Sequence, residues 1–378
     1  MNSKERLLAV LKGEKSDRIP WAPLIDGYFL SFLKEKNIEM NTVEALRYIG
    51  ADILERHVTT YTDIMMMGSS DMIYVNPKDA IVQKNIKITL HFDKKNGEIF
   101  NTYETPIGII KEKYVFTKAS PWLPFPVEHK IKRKEDLKIY KYLLENITPK
   151  PNFENFQKEV DYIGNDGLAS ASGPSTPIMR LLQIEMGIET FYYYLNDYPK
   201  EIEEILDIMH ERNKKIYHII IKSPAEVIID YENSSTTLFS PQIFDRYCLN
   251  QINGYANIVK QSGKIFLMHM CGKLDKIMNL LSQGKQDGII DVSPAPTGDL
   301  NIAEALKSWG KTKVVMGGID ATAFTQLSID GIKKYVRDLL GQIGPANNFI
   351  LGSGDATPYG TPLESLKAVT KVVENYKL

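Results

Sequence analysis

Apolar and polar positions change their spacing several times along the chain, and each spacing predicts an element. Leu7, Leu8 and Leu11 share one face of a helix over residues 3–12, which Ser3 can cap. Residues 18–25 are extended, and Pro20 and Pro23 withhold two ladder donors there. A helix over 41–49 leads into a second apolar run at 51–57. Strict alternation then takes over. Residues 86–92, Asn96-Gly97 and residues 98–103 read as a β-hairpin, and residues 111–116 alternate again. From about residue 160 short apolar runs alternate with helical stretches. The runs are 166–172, 225–230, 264–270, 288–292, 313–318 and 348–353. Near-continuous apolarity in such short runs is the mark of parallel strands covered on both faces.

Eight such runs, with helices between the later ones, favour a (β/α)8 TIM barrel of α/β class over an open sheet. A doubly wound nucleotide fold lacks its signature, since no Gly-x-Gly-x-x-Gly opens a helix near the start. The expected organisation is one barrel domain over 1–378, with 72–130 an inserted antiparallel β and loop region. In that region residues 118–130 carry Pro121, Trp122, Pro124, Phe125 and Pro126, either a lid over a pocket or a packed surface loop.

Composition narrows the function classes. The 378 residues are 43% hydrophobic and 25% charged, with a net charge of −1. There is no basic excess for nucleic acid or an anionic membrane, and no apolar run approaches a bilayer span. Two cysteines in so long a chain argue against a disulfide framework. The N-terminal stretch reads as an amphipathic helix and not as a signal peptide. The expected location is the cytoplasm.

Candidate chemistry sits where the strands end. Ile265, Phe266, Leu267 and Met268 lead into His269 and Cys271, two apart and so on one side of a strand. An imidazole and a thiol that converge can begin a zinc site, or can simply be a core histidine beside a buried thiol. Other strands end in Asp230 with Glu232, Asp291, Asp320 and Asp355, and barrel strand ends converge on one mouth. His269, Cys271 and one carboxylate would make three ligands with a fourth position open, the pattern of catalytic zinc. Glu232 or Asp230 is the expected proton donor. Asp291, Asp320, Tyr231 and Tyr359 are expected to contact substrate.

Several segments in order resemble the uroporphyrinogen decarboxylase superfamily, in its corrinoid-dependent methyltransferase branch. They are Glu5 to Pro20, Thr105 to Gly108, Gly173 to Thr176, Leu238 to Tyr247, His269 to Gly272, Met316 to Asp320 and Gly360 to Glu364. The resemblance implies a (β/α)8 barrel, zinc, and a corrinoid (cobalamin) supplied by a partner protein. Decarboxylases of the superfamily hold a polycarboxylate with an Arg-rich loop after the first strand. Here no Arg occurs between Arg18 and Arg47. Zinc methyltransferases of the branch add a distant Cys to the His-x-Cys pair. The matching position ahead of Pro358 holds Asp355, itself a legitimate zinc ligand, and Cys248 is a reserve candidate.

The resulting expectation is zinc on His269, Cys271 and Asp355. Carboxylate donates less electron density than thiolate, so the metal is matched to oxygen. That tilts the reading to removal of a methyl group from an ether or phenolic oxygen onto a corrinoid. A non-catalytic corrinoid- or ligand-binding barrel is the rival, and a porphyrinogen decarboxylase the third reading.

Overall fold

The structure, a computed structural model, describes residues 1–66, 81–82, 85–118, 120–344 and 346–376. The expected boundary of the insertion at residue 72 therefore lies outside the described residues. In chain order its longer strands are β1 (Ile53–Val58), β2 (Lys87–Asp93), β3 (Glu98–Thr105), β4 (Gly108–Val115), β5 (Phe125–Glu128), β6 (Gly167–Gly173), β7 (Val227–Asp230), β8 (Ile265–His269), β9 (Gly288–Val292), β10 (Val314–Ile319) and β11 (Phe349–Ser353). Among the described residues no helix is long and apolar enough to cross a membrane.

β1, β6, β7, β8, β9, β10 and β11 pair in that order, all parallel, in a seven-stranded sheet. The expected strand at 18–25 is an extended segment with two isolated parallel bridges, Trp21 to Leu351 and Leu24 to Ala356. Pro20 and Pro23 have no N–H to donate, which interrupts a regular ladder. The segment nevertheless bonds on both sides. Ala22 N–H donates to Leu351 on β11, and Asp52 N–H, just ahead of β1, donates to the Trp21 carbonyl at 2.7 Å.

An inner apolar cluster explains why the sheet curls. It draws Ala22, Leu54, Leu168, Ile229, Leu267, Ile290, Met316 and Ile350 from all eight extended segments, together with Leu7, Val10 and Leu11 of the helix Ser3–Leu11. Alternate residues of each strand point into this cluster and the others face the helices. The N-terminal helix is capped by Asn2 in a reciprocal box with Glu5, and not by Ser3 as expected. The Ser3 hydroxyl instead accepts from Ile53 N–H at the start of β1.

β2, β3, β4 and β5 form a four-stranded antiparallel sheet. Its inward face is held by charge. Glu112 accepts from Asn101, Tyr103 and Tyr114 and pairs with Lys130 at 2.9 Å. Lys130 also pairs with Glu185 at 2.9 Å, and Glu185 with Arg180 at 2.7 Å. All four charged groups are buried, so each depends on its partners for solvation.

Lys130→Met would leave Glu112 facing Glu185 with no cation between them. The expected loss is about 3–5 kcal/mol of unfolding free energy in a denaturant titration. An unchanged midpoint would show that the insertion does not rest on this network.

Candidate metal and substrate site

β8 is an apolar run that ends in His269, and Cys271 follows on the same side two residues later. Asp355 lies two residues beyond the end of β11. The three residues offer ligand atoms that all lie within 4.8 Å of one another. A tetrahedral metal at ordinary bond lengths needs its ligands about 3.3–3.8 Å apart, so small rotations close the set. One nitrogen and two anionic donors suit zinc.

Behind the triad lies a buried support. His269 Nδ1 is 2.6 Å from Asp291 Oδ2, and Arg56 Nη1 donates to the same oxygen at 2.7 Å. Burial opposes the Asp291 charge, but Arg56 and His269 outweigh it and hold the carboxyl below its ordinary range. An ionised Asp291 can only accept, which assigns the proton to Nδ1 and leaves Nε2 as the ligand atom. Burial likewise opposes the His269 charge, yet Cys271 and Asp291 raise its pKa well above the usual value. Burial pushes the Cys271 thiol up, with His269 working against it.

The triad lines a cavity of about 500 Å³. Aromatic rings form much of its wall. Tyr28 meets Trp122 edge-on at 5.9 Å, Trp122 meets His57 at 6.3 Å, and His57 stacks on Tyr231 at 4.6 Å. Tyr231 continues to His269 at 5.3 Å. Asp26 and Asp355 supply carboxylates to the lining, which contains no Lys or Arg among the described residues. Burial raises the Asp26 carboxyl to about 6, against the pull of the Tyr28 N–H it accepts from and of His57.

The structure divides the residues singled out in the sequence. His269, Cys271, Asp355 and Tyr231 line the cavity, whereas Asp291, Asp320, Asp230, Glu232 and Tyr359 do not. Asp291 supports His269 from behind in place of the substrate contact expected of it. Asp320 accepts from the backbone and hydroxyl of both Thr297 and Thr322, so it clamps two loops together and has no substrate to meet. Tyr359 is 43% exposed, bonds to Glu35 and packs against Phe32 at 5.4 Å.

Glu232 and Asp230 are fully buried away from the cavity, which leaves the proton-donor role expected of them without a contact to act through. Glu232 accepts from Thr176 N–H and hydroxyl, each at 2.7 Å, and from Ser234 at 2.6 Å. Burial raises it to about 7 against those bonds. Burial and then the Glu232 charge raise Asp230 well above the carboxylate range. Cys248 packs beside them, 3.8 Å from the Thr176 hydroxyl, and is outside the ligand cluster.

Sequence reasoning missed Asp26 and His57. They end the extended segments 18–25 and 51–57 and so carry the same strand-end signal as Asp230 and the acidic residues after it. Trp122 belongs to the loop whose two readings were a lid and a surface packing. Its indole lies on the cavity wall.

A model of the family described as uroporphyrinogen decarboxylase (URO-D) matches residues 154–376. Among solved structures, a methyltransferase from Methanosarcina mazei is similar over 99% of this chain and 98% of its own, at 15% identity and a TM-score of 0.64. At that identity the likeness is one of fold. A B12-independent methionine synthase from Shewanella sp. W3-18-1 is similar over 70% of this chain and 74% of its own, at 13% identity and a TM-score of 0.43. No curated protein matches the sequence.

A pH-dependent stability follows from Glu232. Its pKa is raised on folding from 4.5 to about 7, so the folded state holds the proton more tightly. The contribution is full below 4.5 and is lost as pH rises through 7, up to about 3 kcal/mol. Glu232→Gln removes the titration. Its denaturation midpoint should therefore fall less than that of the parent between pH 5 and pH 8, and parallel profiles would contradict the assignment.

Proposed function

The chain belongs to the uroporphyrinogen decarboxylase (URO-D) family, and from that premise we propose that it is a methyltransferase. It moves a methyl group from the oxygen of a small methyl ether to a corrinoid carried by a partner protein, with zinc held by His269, Cys271 and Asp355. The observation that carries this reading is the convergence of those three ligand atoms within 4.8 Å at the wall of an aromatic cavity. The fold supports it as well. We read the eight extended segments as a closed (β/α)8 barrel and residues 1–378 as one domain, because the inner core draws on every segment.

Zinc bound there would supply Lewis acidity toward the ether oxygen and so favour its departure. The remaining work falls to this chain. Asp291 and Arg56 fix the tautomer and plane of His269. Trp122, His57 and Tyr231 present apolar surface that orients an organic donor and excludes water. A reduced corrinoid would supply the electron pair for the new bond to the methyl group, and the pair of the broken C–O bond would stay with oxygen. The freed oxyanion then takes a proton from solvent, since neither Glu232 nor Asp230 reaches the cavity.

Decarboxylation of a porphyrinogen fits poorly. Its several carboxylates would enter a cavity lined by Asp26 and Asp355, with no Lys or Arg among the described lining residues to receive them.

The purified protein should carry about one zinc per chain. His269→Ala and Asp355→Ala should each lower zinc content and, in parallel, methyl transfer from methoxyarenes to reduced corrinoid by about 100-fold or more. Metal is read by elemental analysis and transfer by the corrinoid absorption spectrum. A parent protein that binds no zinc and still binds corrinoid would favour the non-catalytic barrel. Transfer only to thiols would overturn the ether reading.

A further inference from the structure

We infer that the cavity selects its methyl donor by charge: it accepts an uncharged methoxyarene and rejects carboxylated ones, with Asp26 as the specificity-determining residue. The inference rests on the methyltransferase reading and deepens it.

Three observations lead there. First, the rings of Tyr28, Trp122, His57 and Tyr231 form a continuous wall that ends at His269. A flat substrate ring packs against such a wall edge-on or offset, which places a ring substituent near the ligand triad. Second, the wall is built for close approach. A Cβ on Gly27 would lie 1.8 Å from Trp122 Cγ, so the indole occupies its place only because residue 27 has no side chain. Third, the charges do not cancel. A divalent metal is neutralised by the Cys271 thiolate and the Asp355 carboxylate. Asp26 then remains on a lining with no Lys or Arg among the described residues.

A substrate carboxylate would lose water beside Asp26 and meet no Lys or Arg among the described lining residues, with the zinc charge already balanced by Cys271 and Asp355. A neutral ring pays neither penalty, so discrimination comes from repulsion of the wrong ligand. A methylated ammonium would also suit the rings and Asp26. Its quaternary nitrogen keeps no lone pair for a metal, whereas an ether oxygen does, and the adjacent triad therefore favours the ether.

Calorimetric titration of the zinc-loaded protein without corrinoid tests binding apart from transfer. The probes are 4-methoxybenzyl alcohol, 4-methoxybenzoate and tetramethylammonium. The alcohol should bind about tenfold or more tighter than the benzoate. Asp26→Asn keeps the cap on Tyr28 N–H, because Asn caps as well as Asp, and should narrow that gap to about threefold or less. Gly27→Ala, which displaces the indole, should weaken the alcohol about tenfold. Benzoate binding equal to or tighter than the alcohol overturns the inference. So does a gap that Asp26→Asn leaves unchanged, tighter binding of tetramethylammonium than of the alcohol, or no arene binding at all. Charge-selective binding without methyl transfer would sink the proposed function and leave this inference standing. Transfer from other donors without arene binding would do the reverse.

Discussion

A carboxylate that stays ionised where no water reaches must be paired within the protein, and Asp291 shows what that requires. It is 0% exposed, and one of its oxygens takes both the Arg56 guanidinium and His269 Nδ1. Arg56 comes from β1 and His269 from β8, with β6 and β7 lying between them in the sheet. The ion pair therefore crosses the interior of the curled sheet and ties distant strands together. Asp291 itself sits at φ +64, where an L side chain is strained, and the β9–β10 register shifts between Ile289 and Val292. Such an irregularity re-aims a side chain, and here it turns Asp291 onto the back of His269. Loss of any member would leave buried charge uncompensated.

The insertion obeys the same rule at a second place. Alternation along β3 and β4 sends Asn101, Tyr103, Glu112 and Tyr114 to one face, where Lys130 joins them to Glu185 and Arg180. Each charged group of this polar interface has a partner of opposite charge, so the network fixes orientation as well as position. The loop between β4 and β5 then delivers Trp122 to Gly27 at the cavity. Fold and site are coupled through that contact, because the insertion supplies one wall of a cavity whose metal ligands come from the parallel sheet.

Acidic residues at strand ends share a position in the sequence but not a task. Asp355 faces the cavity with His269 and Cys271. Asp291 is one residue from the end of its strand and points behind His269. Asp320 is saturated by Thr297 and Thr322, and Glu232 by Thr176 and Ser234. What separates them is the number of donors that neighbouring loops bring. A carboxylate met by three or four donors becomes a structural clamp, and one met by a single backbone N–H, like Asp355, stays available to a cation.

The sequence by itself marked the apolar parallel strands and the alternating antiparallel hairpin, because both rest on local periodicity. Apolar runs of five or so residues between turn residues suit strands covered on both faces, and strict alternation suits a sheet with one face exposed. It also brought His269 and Cys271 together at the end of β8, since side chains two apart in an extended run point to the same side. The cap at Asn2 and the broken pairing at 18–25 lay within reach of the same local rules. The tertiary structure alone decided which strand-end groups meet. The approach of Asp355 to within 4.8 Å of His269, the reach of Arg56 to Asp291 and the seating of Trp122 on Gly27 join residues far apart in the chain. Such contacts depend on sheet curl, a register shift and loop packing, none of which leaves a periodic trace in the residues themselves.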